Sequence, residues 1–202
     1  MATDAMMYQI KVTLNGVRPS IWRRLVVPSS LSLMDLHDVL QVAMGWMDSH
    51  LHQFVARGKL YGQPDPEFGM GRINEKRVRL DEVLRTEKDA MTYEYDFGDG
   101  WEHKIVLEKV LGNAEEHAAP SCIAGARACP PEDCGGVWGY ANLLKVISDS
   151  SNPEHEEMLE WLGDGFDPER FDVSVINSVL VRMTRRGLTT RSRATGRKRP
   201  AP

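Results

Sequence analysis

The chain of 202 residues is 42% hydrophobic and 27% charged with a net charge of −4, a balance typical of globular proteins and unlike that of a chain disordered throughout. No apolar run approaches the roughly 18 residues that a membrane span needs, and the N-terminal MATDAMMYQI lacks the positively charged start of a secretory signal. The sequence therefore predicts a cytoplasmic protein without a membrane partner.

Residues 8–27 are predicted to form a β-hairpin. In YQIKVTL, residues 8–14, apolar and polar side chains alternate with the period of a half-buried strand. The Asn-Gly pair at 15–16 is a turn signal, and residues 21–27 supply the second strand.

A helix is predicted directly after this hairpin. Apolar residues recur at helical spacing over residues 33–44, Ser32 and Asp35 resemble a capping box, and Gly45 is expected to end the helix. The segment HLHQFVARGKLY, residues 50–61, then predicts a third strand, which a Pro- and Gly-rich loop follows.

The segment YEYDFGDGWEH, residues 93–103, is predicted to be a second hairpin. If its Gly-Asp-Gly sequence is a three-residue loop, Phe97 lies opposite Trp101 and Tyr95 lies opposite His103. All the rings then share one face of the sheet.

A two-residue Asp-Gly turn is the alternative for this hairpin. It would place Asp96 opposite His103 and would mix acids with apolar groups on one face. Burial of the wrong face would cost several kcal/mol, at about 1.5–3 kcal/mol for each large side chain. The three-residue loop is therefore predicted, with Asp96 and His103 on opposite faces.

The later part of the chain is predicted to be a loop followed by helices. Residues 112–136 read as a long loop that ends in CPPEDCGG and contains Cys122, Cys129 and Cys134. The cysteine spacing is not the C-x-x-C of most zinc sites, so reduced loop thiols are favoured over zinc ligands. Three helical segments follow, at residues 140–148, 154–162 and 172–185.

This order of elements predicts an α+β fold. The expected sheet is largely antiparallel and is built from two hairpins and an extra strand, with one helix after the first hairpin and the C-terminal helices packed on the sheet. Residues 1–181 are expected to form a single α+β domain.

Residues 182–202 are predicted to be a basic, disordered tail. They contain eight Lys or Arg and no acid, which leaves residues 1–181 with a net charge of −12. The tail is interpreted either as a solvated end that lies against the acidic stretch 149–172, or as a contact to the phosphates of nucleic acid. The residues proposed for that contact are Arg185, Arg186, Arg191, Arg193, Arg197, Lys198 and Arg199.

Histidines provide the candidate site. His50 and His52 are two residues apart on the predicted third strand, and His103 would join them if that strand neighbours the one starting at Trp101. Three imidazoles would then form a site for zinc or another divalent metal, whereas the alternative for His103 is a buried, hydrogen-bonded histidine. The residues expected to line a binding groove are His50, His52, Phe54, Tyr95, Asp99, Trp101 and His103.

Five stretches together resemble the Ri-plasmid open-reading-frame-three-like family, also described as a TnpR-like passenger protein of an insertion element. They are VRPSIWRRLVVP, LHDVLQVAMGWMDSHLHQF, YDFGDGWEHKIVLE, CPPEDCGGVWGYANLL and HEEMLEWLGDGFDPERFD. The residues that match the family pattern are Arg23, His37, Trp46, His50, Phe54, Tyr95, Asp96, Gly98, Asp99, Trp101, His103, Pro131, Asp133, Gly135, Gly136 and Tyr140. The resemblance implies a small α+β protein carried on plasmids, transposons and chromosomes.

These patterns are compatible with two functions. The first is a non-catalytic binding or accessory protein with an aromatic and histidine-lined groove, assisted by the basic tail in contacting nucleic acid. The second is a metal-dependent enzyme, a hydrolase, that uses His50, His52 and His103 as metal ligands. The chain lacks the N-terminal serine nucleophile and the C-terminal helix-turn-helix of a serine recombinase, so that activity is not expected.

Overall fold

The computed structural model describes residues 6–64, 71–113, 119–163 and 165–185. Within these residues, eight strands form one sheet. The strands are β1 (Met6–Leu14), β2 (Trp22–Pro28), β3 (His52–Ala56), β4 (Lys59–Gly62), β5 (Ile73–Asn74), β6 (Ala90–Tyr95), β7 (Trp101–Asn113) and β8 (Ser121–Ala126). The helices are α1 (Leu33–Met44), α2 (Leu80–Val83), α3 (Gly136–Ser148), α4 (His155–Leu162) and α5 (Val173–Arg185), with a 3-10 turn at Glu75–Arg77.

The sheet has the strand order β5-β4-β3-β6-β7-β1-β2-β8. Every neighbouring pair is antiparallel except β4 and β5, which are parallel. The predicted α+β fold with a largely antiparallel sheet is confirmed. None of the described helices is long and apolar enough to cross a bilayer.

Helix α1 has the ends that its sequence predicts. The hydroxyl oxygen of Ser32 accepts a hydrogen bond from the backbone N–H of Asp35, a cap that stabilises a helix by about 1 kcal/mol. Gly45 follows the last turn with a left-handed φ of 91°. The buried stripe of α1 is mostly apolar but includes His37 and Gln41, which places two polar groups against the sheet.

The β6–β7 hairpin differs from the predicted register by two residues. Tyr95 pairs with Trp101 and Tyr93 pairs with His103, so residues 96–100 form the connection. The prediction of Tyr95 opposite His103 was therefore wrong. Because the shift is an even number of residues, the inward face is unchanged, and all four of these side chains are fully buried as expected.

Asp96 explains the longer connection. It adopts a left-handed φ of 57°, and its side chain accepts a hydrogen bond from the backbone N–H of Gly98 at 2.9 Å. The chain therefore turns before the Gly-Asp-Gly sequence is reached. Phe97, which the prediction placed on the buried face, lies in the connection and is exposed.

The predicted third strand is a hairpin of two strands, β3 and β4. Arg57 and Gly58 join them with φ values of 51° and 72°, and two successive positive φ angles form the type I′ turn of tight hairpins. Arginine has no preference for this conformation, which hid the turn in the sequence. His50 precedes β3, so His50 and His52 do not share one strand as predicted.

The predicted loop at 112–136 contains part of the sheet. Strand β7 continues to Asn113, and β8 pairs with β2 at the edge of the sheet. The β8 sequence SCIAGA consists mostly of small residues with weak strand preference, so pairing with β2 decides its conformation.

The proposed basic tail begins inside α5, because this helix continues to Arg185. The other residues proposed for nucleic-acid contact lie outside the described residues. These are Arg186, Arg191, Arg193, Arg197, Lys198 and Arg199.

A buried arginine on β2 joins the end of α1 to the end of the edge strand β8. The guanidinium of Arg23 on β2 donates hydrogen bonds to the backbone carbonyls of Ala43, Ala126 and Arg127 at 2.8–2.9 Å. The ring of Phe171 lies 4.8 Å from the guanidinium carbon. The charge is thus held by carbonyl dipoles and an aromatic face, and the last turn of α1 is joined to the end of β8.

Gly125 in β8 lies against the ring of Phe171. A methyl group added at Gly125 would lie 2.5 Å from Phe171 and 2.8 Å from the backbone oxygen of Trp22. We expect Gly125→Ala to lower the free energy of unfolding by about 1–3 kcal/mol, because the aromatic ring and the strand would have to move. Urea unfolding monitored by circular dichroism measures the change.

Gly112→Ala in β7 is the matched control, because a methyl group there meets no described atom within 4 Å. It is expected to change the free energy of unfolding by less than about 0.5 kcal/mol. Equal losses of unfolding free energy in both variants would show that close packing at Gly125 does not cause the destabilisation.

Candidate functional site

Three loops meet beyond the ends of the strands, at residues 45–51, 96–100 and 129–135. The backbone N–H of Asp96 donates to the carbonyl of Leu51 at 2.9 Å, which joins the first two loops. The backbone N–H of Gly135 donates to the Asp99 carboxylate at 3.2 Å, which joins the second and third. We call this region the loop junction.

Tyr95 and Glu132 hold the junction together from within. The phenol of Tyr95 donates to the carboxylate of Glu132 at 2.6 Å and accepts from the backbone N–H of Ser49 at 3.0 Å. Burial, followed by the hydrogen bond to Glu132, raises the pKa of Tyr95 well above its ordinary value of 10. The phenol therefore stays protonated as a donor, and the third loop is fixed to the first.

One histidine and two aspartates converge at the loop junction, one from each loop. Nε2 of His50 lies 3.3 Å from Oδ1 of Asp133 and 3.7 Å from Oδ2 of Asp96. Asp96 and Asp133 both have a left-handed backbone, with φ values of 57° and 59°. We call these three residues the junction cluster. Imidazole and carboxylate side chains are ligands for divalent metals.

A second polar group lies beneath α1. The imidazoles of His37 and His52 stack with their centroids 3.5 Å apart. His37 is hydrogen-bonded to the Tyr93 hydroxyl and to Asp48, both at 2.8 Å, and His52 is hydrogen-bonded to the buried Glu75 at 2.9 Å. We call His37 and His52 the interior histidine pair. Burial, followed by the neighbouring His52, lowers the pKa of His37 to about 4.

The structure does not bring the predicted metal ligands His50, His52 and His103 together. His50 belongs to the junction cluster, His52 stacks on His37, and Nδ1 of His103 lies 3.3 Å from the backbone oxygen of Tyr93. Among the described residues, no group of metal-capable side chains contains more than one of the three. The predicted trio was wrong because β6 lies between β3 and β7, which separates His52 from His103, and because His50 lies before β3 rather than on it.

Most residues predicted to line a groove are interior. Phe54, Tyr95, Trp101 and His103 are fully buried, and His52 is buried as well. These side chains therefore belong to the core between the sheet and α1. His50 and Asp99 remain partly exposed at the loop junction.

Two clefts flank the loop at 129–135 and share Trp161. The first, which we call the α3–α4 cleft, has a volume of about 410 Å³ and lies between those two helices. The second, of about 340 Å³, lies beside Trp46 and the end of α1. Residues of the α3–α4 cleft that concern ligand chemistry are Asp133, Leu143, Glu154, Glu157, Met158 and Trp161.

The cysteines near these clefts are thiols rather than thiolates. Burial, followed by the neighbouring charge of Asp99, raises the pKa of Cys134 to about 12. Burial raises the pKa of Cys129 to about 11 and also raises that of Cys122. A protonated thiol is a poor nucleophile and a poor metal ligand at neutral pH.

The family model for plasmid pRiA4b ORF-3-like proteins matches residues 6–175. The chain belongs to this family. It is 41% identical over 178 residues to the uncharacterized protein y4hQ of Sinorhizobium fredii (strain NBRC 101917 / NGR234), with 87% of this chain and 91% of that protein covered. The resemblance stated from the sequence is thereby confirmed.

A solved structure also resembles this family member. It is the crystal structure of a protein of unknown function, MM3350, from Methanosarcina mazei Go1, with a TM-score of 0.76 and 41% identity. The similarity covers 85% of this chain and 98% of that chain. The common α+β fold thus extends over nearly the whole of the solved structure.

The sequence did not identify His37 and Asp133 as site residues, although the position of His37 in the helical pattern indicated that it is buried. His37 lies on the stripe of α1 that also carries Leu33, Leu36 and Leu40, where a polar residue indicates a buried contact. Asp133 lies in a loop without periodicity, so nothing local marked it as a partner of His50.

Acidification is expected to destabilise this family member. Burial lowers the pKa of His103 to about 4 from an ordinary 6.5. Between these values the unfolded chain binds a proton at this histidine that the folded chain does not, so the part of the stability that depends on His103 is complete above about pH 6.5 and declines as the pH falls toward about 4. His103→Leu should reduce the loss between about pH 7.5 and pH 5 by about 2 kcal/mol, measured by urea unfolding.

His155→Gln, at a partly exposed histidine at the start of α4, is the control. It is expected to retain the pH dependence of the unsubstituted protein. His37, whose pKa burial also lowers to about 4, contributes to the remaining decline. A decline in His103→Leu equal to that of the unsubstituted protein would mean that His103 does not contribute.

Proposed function

We propose that this protein is a non-catalytic binding protein that takes a cationic ligand in the α3–α4 cleft. The observation that carries the proposal is the lining of the cleft, which combines the acidic residues Asp133, Glu154 and Glu157 with apolar residues and the half-exposed Trp161. The ligand class is the side chain of a Lys or Arg within a basic peptide segment.

Each part of such a side chain has a counterpart in the cleft. Carboxylates form charge-assisted hydrogen bonds with an ammonium or guanidinium group. The face of Trp161 adds a cation–π attraction of about 0.5–2 kcal/mol. The aliphatic stem packs on Leu143 and Met158. Among the described residues that line the cleft, none is basic, so no Lys or Arg there competes for Glu154 and Glu157.

The charge of the surrounding chain favours the same class of ligand. Residues 149–172, which include α4, contain nine Asp or Glu and one Arg. A surface of one sign attracts partners of the opposite sign and speeds their association. A basic segment is therefore favoured over an acidic one.

Binding is favoured over catalysis by the state of the reactive groups near the cleft. Cys134 lines it, but its high pKa keeps the thiol protonated. The alternative metal-dependent hydrolase was based on His50, His52 and His103, which lie in three different environments. That enzyme hypothesis has thus lost the ligand set on which it rested.

The proposed setting is the cytoplasm. Cys122, Cys129 and Cys134 are free cysteines, and a reducing compartment keeps thiols in that form. Carriage as a transposon passenger, as the family resemblance implies, is compatible with an accessory binding role.

A synthetic peptide of residues 186–202, with six Lys or Arg and no acid, is a suitable basic probe. We expect it to bind a chain that ends at Arg185, and to bind about tenfold more weakly when Glu154→Gln and Glu157→Gln are combined. That factor corresponds to about 1.4 kcal/mol for two lost ion pairs. Isothermal titration calorimetry at low salt measures the affinity.

The matched control combines Glu156→Gln and Glu160→Gln, which remove the same charge from exposed positions of the same helix outside the cleft. It should bind the peptide nearly as well as the unsubstituted chain. Equal weakening by both double variants would mean that the peptide responds only to net charge, and the cleft proposal would fail.

Nucleic acid is the second candidate partner, and the eight basic residues at 182–202 support it. Contacts between basic residues and DNA phosphates release counterions, which favours binding. Removal of residues 186–202 loses this contribution and is therefore expected to weaken the retardation of a short DNA duplex by at least about tenfold at low salt. Replacing the tail arginines by lysine should preserve binding, since phosphate contacts of this kind depend on charge. Equal retardation with and without the tail would exclude this role.

A further inference from the structure

We infer that the junction cluster is a site for a divalent transition-metal cation, held by Nε2 of His50 and by one carboxylate oxygen each of Asp96 and Asp133. This site shares Asp133 with the α3–α4 cleft but does not rest on the proposed binding of a basic segment, which needs no metal. Imidazole with two carboxylates suits Zn²⁺ and Mn²⁺ among the divalent cations.

The separations within the cluster fit a shared ion better than hydrogen bonds. Nε2 of His50 lies 3.3 Å from Asp133 and 3.7 Å from Asp96, and the three ligand atoms all lie within 4.8 Å of one another. Metal–ligand bonds of about 2.1 Å in a tetrahedral arrangement separate adjacent ligand atoms by about 3.4 Å. A charge-assisted hydrogen bond would be shorter, at about 2.7–2.9 Å.

Nε2 of His50 is a shielded polar atom without a hydrogen-bond partner in the part of the chain that the structure describes. Buried polar atoms are nearly always paired, so this nitrogen requires an explanation. The carboxylates of Asp96 and Asp133 face it, and no Lys or Arg among the described residues forms a salt bridge with either. A cation between the three atoms would bond to the nitrogen and neutralise both carboxylates.

Neighbouring groups hold the ligands in place. Oδ1 of Asp96 accepts the hydrogen bond from Gly98, which leaves Oδ2 to face His50. The ring of His50 packs edge-on against Tyr95, with centroids 5.8 Å apart, and the Tyr95 hydroxyl is itself held by Glu132. Such supporting contacts orient metal ligands and strengthen binding.

The cluster is open to solvent on the side of Asp133, whose side chain is 73% exposed. An ion can therefore enter without unfolding of the sheet. Three protein ligands leave a tetrahedral position for water or another ligand. Asp133 also lines the α3–α4 cleft, so the open side of the metal site adjoins that cleft.

The other metal-capable group among the described residues is less suited to an ion. It consists of His37, Asp48 and His52, and both ring nitrogens of His37 are already in hydrogen bonds. Nε2 of His52 is likewise hydrogen-bonded to Glu75. A metal there would have to break contacts that the interior of the protein has already satisfied.

Zinc titration of the full chain tests the inference. Protein purified without a histidine tag and stripped with a chelator is titrated with ZnCl₂ in a calorimeter, and its melting temperature is followed in parallel. We expect one equivalent of Zn²⁺ per chain and a higher melting temperature. Asp133→Asn and His50→Gln should each weaken binding by at least about tenfold and reduce the thermal shift.

Glu156→Gln and Asp48→Asn are the controls. Glu156 is an exposed carboxylate of α4 outside the cluster, and Asp48 belongs to the other metal-capable group of the described residues. Both variants should bind Zn²⁺ with unchanged affinity. The inference is overturned if neither Zn²⁺ nor Mn²⁺ binds the unsubstituted chain, if Glu156→Gln weakens binding as much as Asp133→Asn, or if Asp48→Asn abolishes it. If His50→Gln fails to fold, Asp133→Asn alone tests the inference, because a substitution at this exposed residue is expected to leave the fold intact.

Discussion

The buried guanidinium of Arg23 is the contact on which the arrangement of the candidate sites depends. It joins the carbonyl of Ala43, in the last turn of α1, to those of Ala126 and Arg127, at the end of β8. It thereby sets the points at which the loops 45–51 and 129–135 leave the folded core. An apolar side chain in its place would leave these carbonyls without donors in the interior, where lost hydrogen bonds are most costly.

The sheet and helices form the framework, and the loops carry the chemistry. His50, Asp96 and Asp133 come from three separate loops, and Asp133 also lines the cleft between α3 and α4. Such a division is common, because residues on loops can vary while the elements beneath them hold their positions. A metal ion in the cluster and a basic side chain in the cleft would both draw on the Asp133 carboxylate, so the two proposed sites are electrostatically coupled.

Local patterns predicted those elements whose conformation depends on neighbouring residues. The capping residue Ser32, the apolar stripe of α1 and Gly45 defined that helix correctly, because each acts within one or two turns. Alternation along β6 and β7 identified the buried face correctly. The register was wrong because Asp96 turns the chain early, and β8 was missed because its conformation depends on β2.

The sequence by itself determined the α+β class, the family, the ends of α1 and the inward-facing side chains of β6 and β7. These follow from periodicity and capping, which act over a few residues, and from motifs that can be read directly. Only the tertiary structure decided that His50 meets Asp96 and Asp133 while His52 stacks on His37. Those contacts join residues far apart in the chain, and they depend on the paths of loops that no repeating pattern encodes.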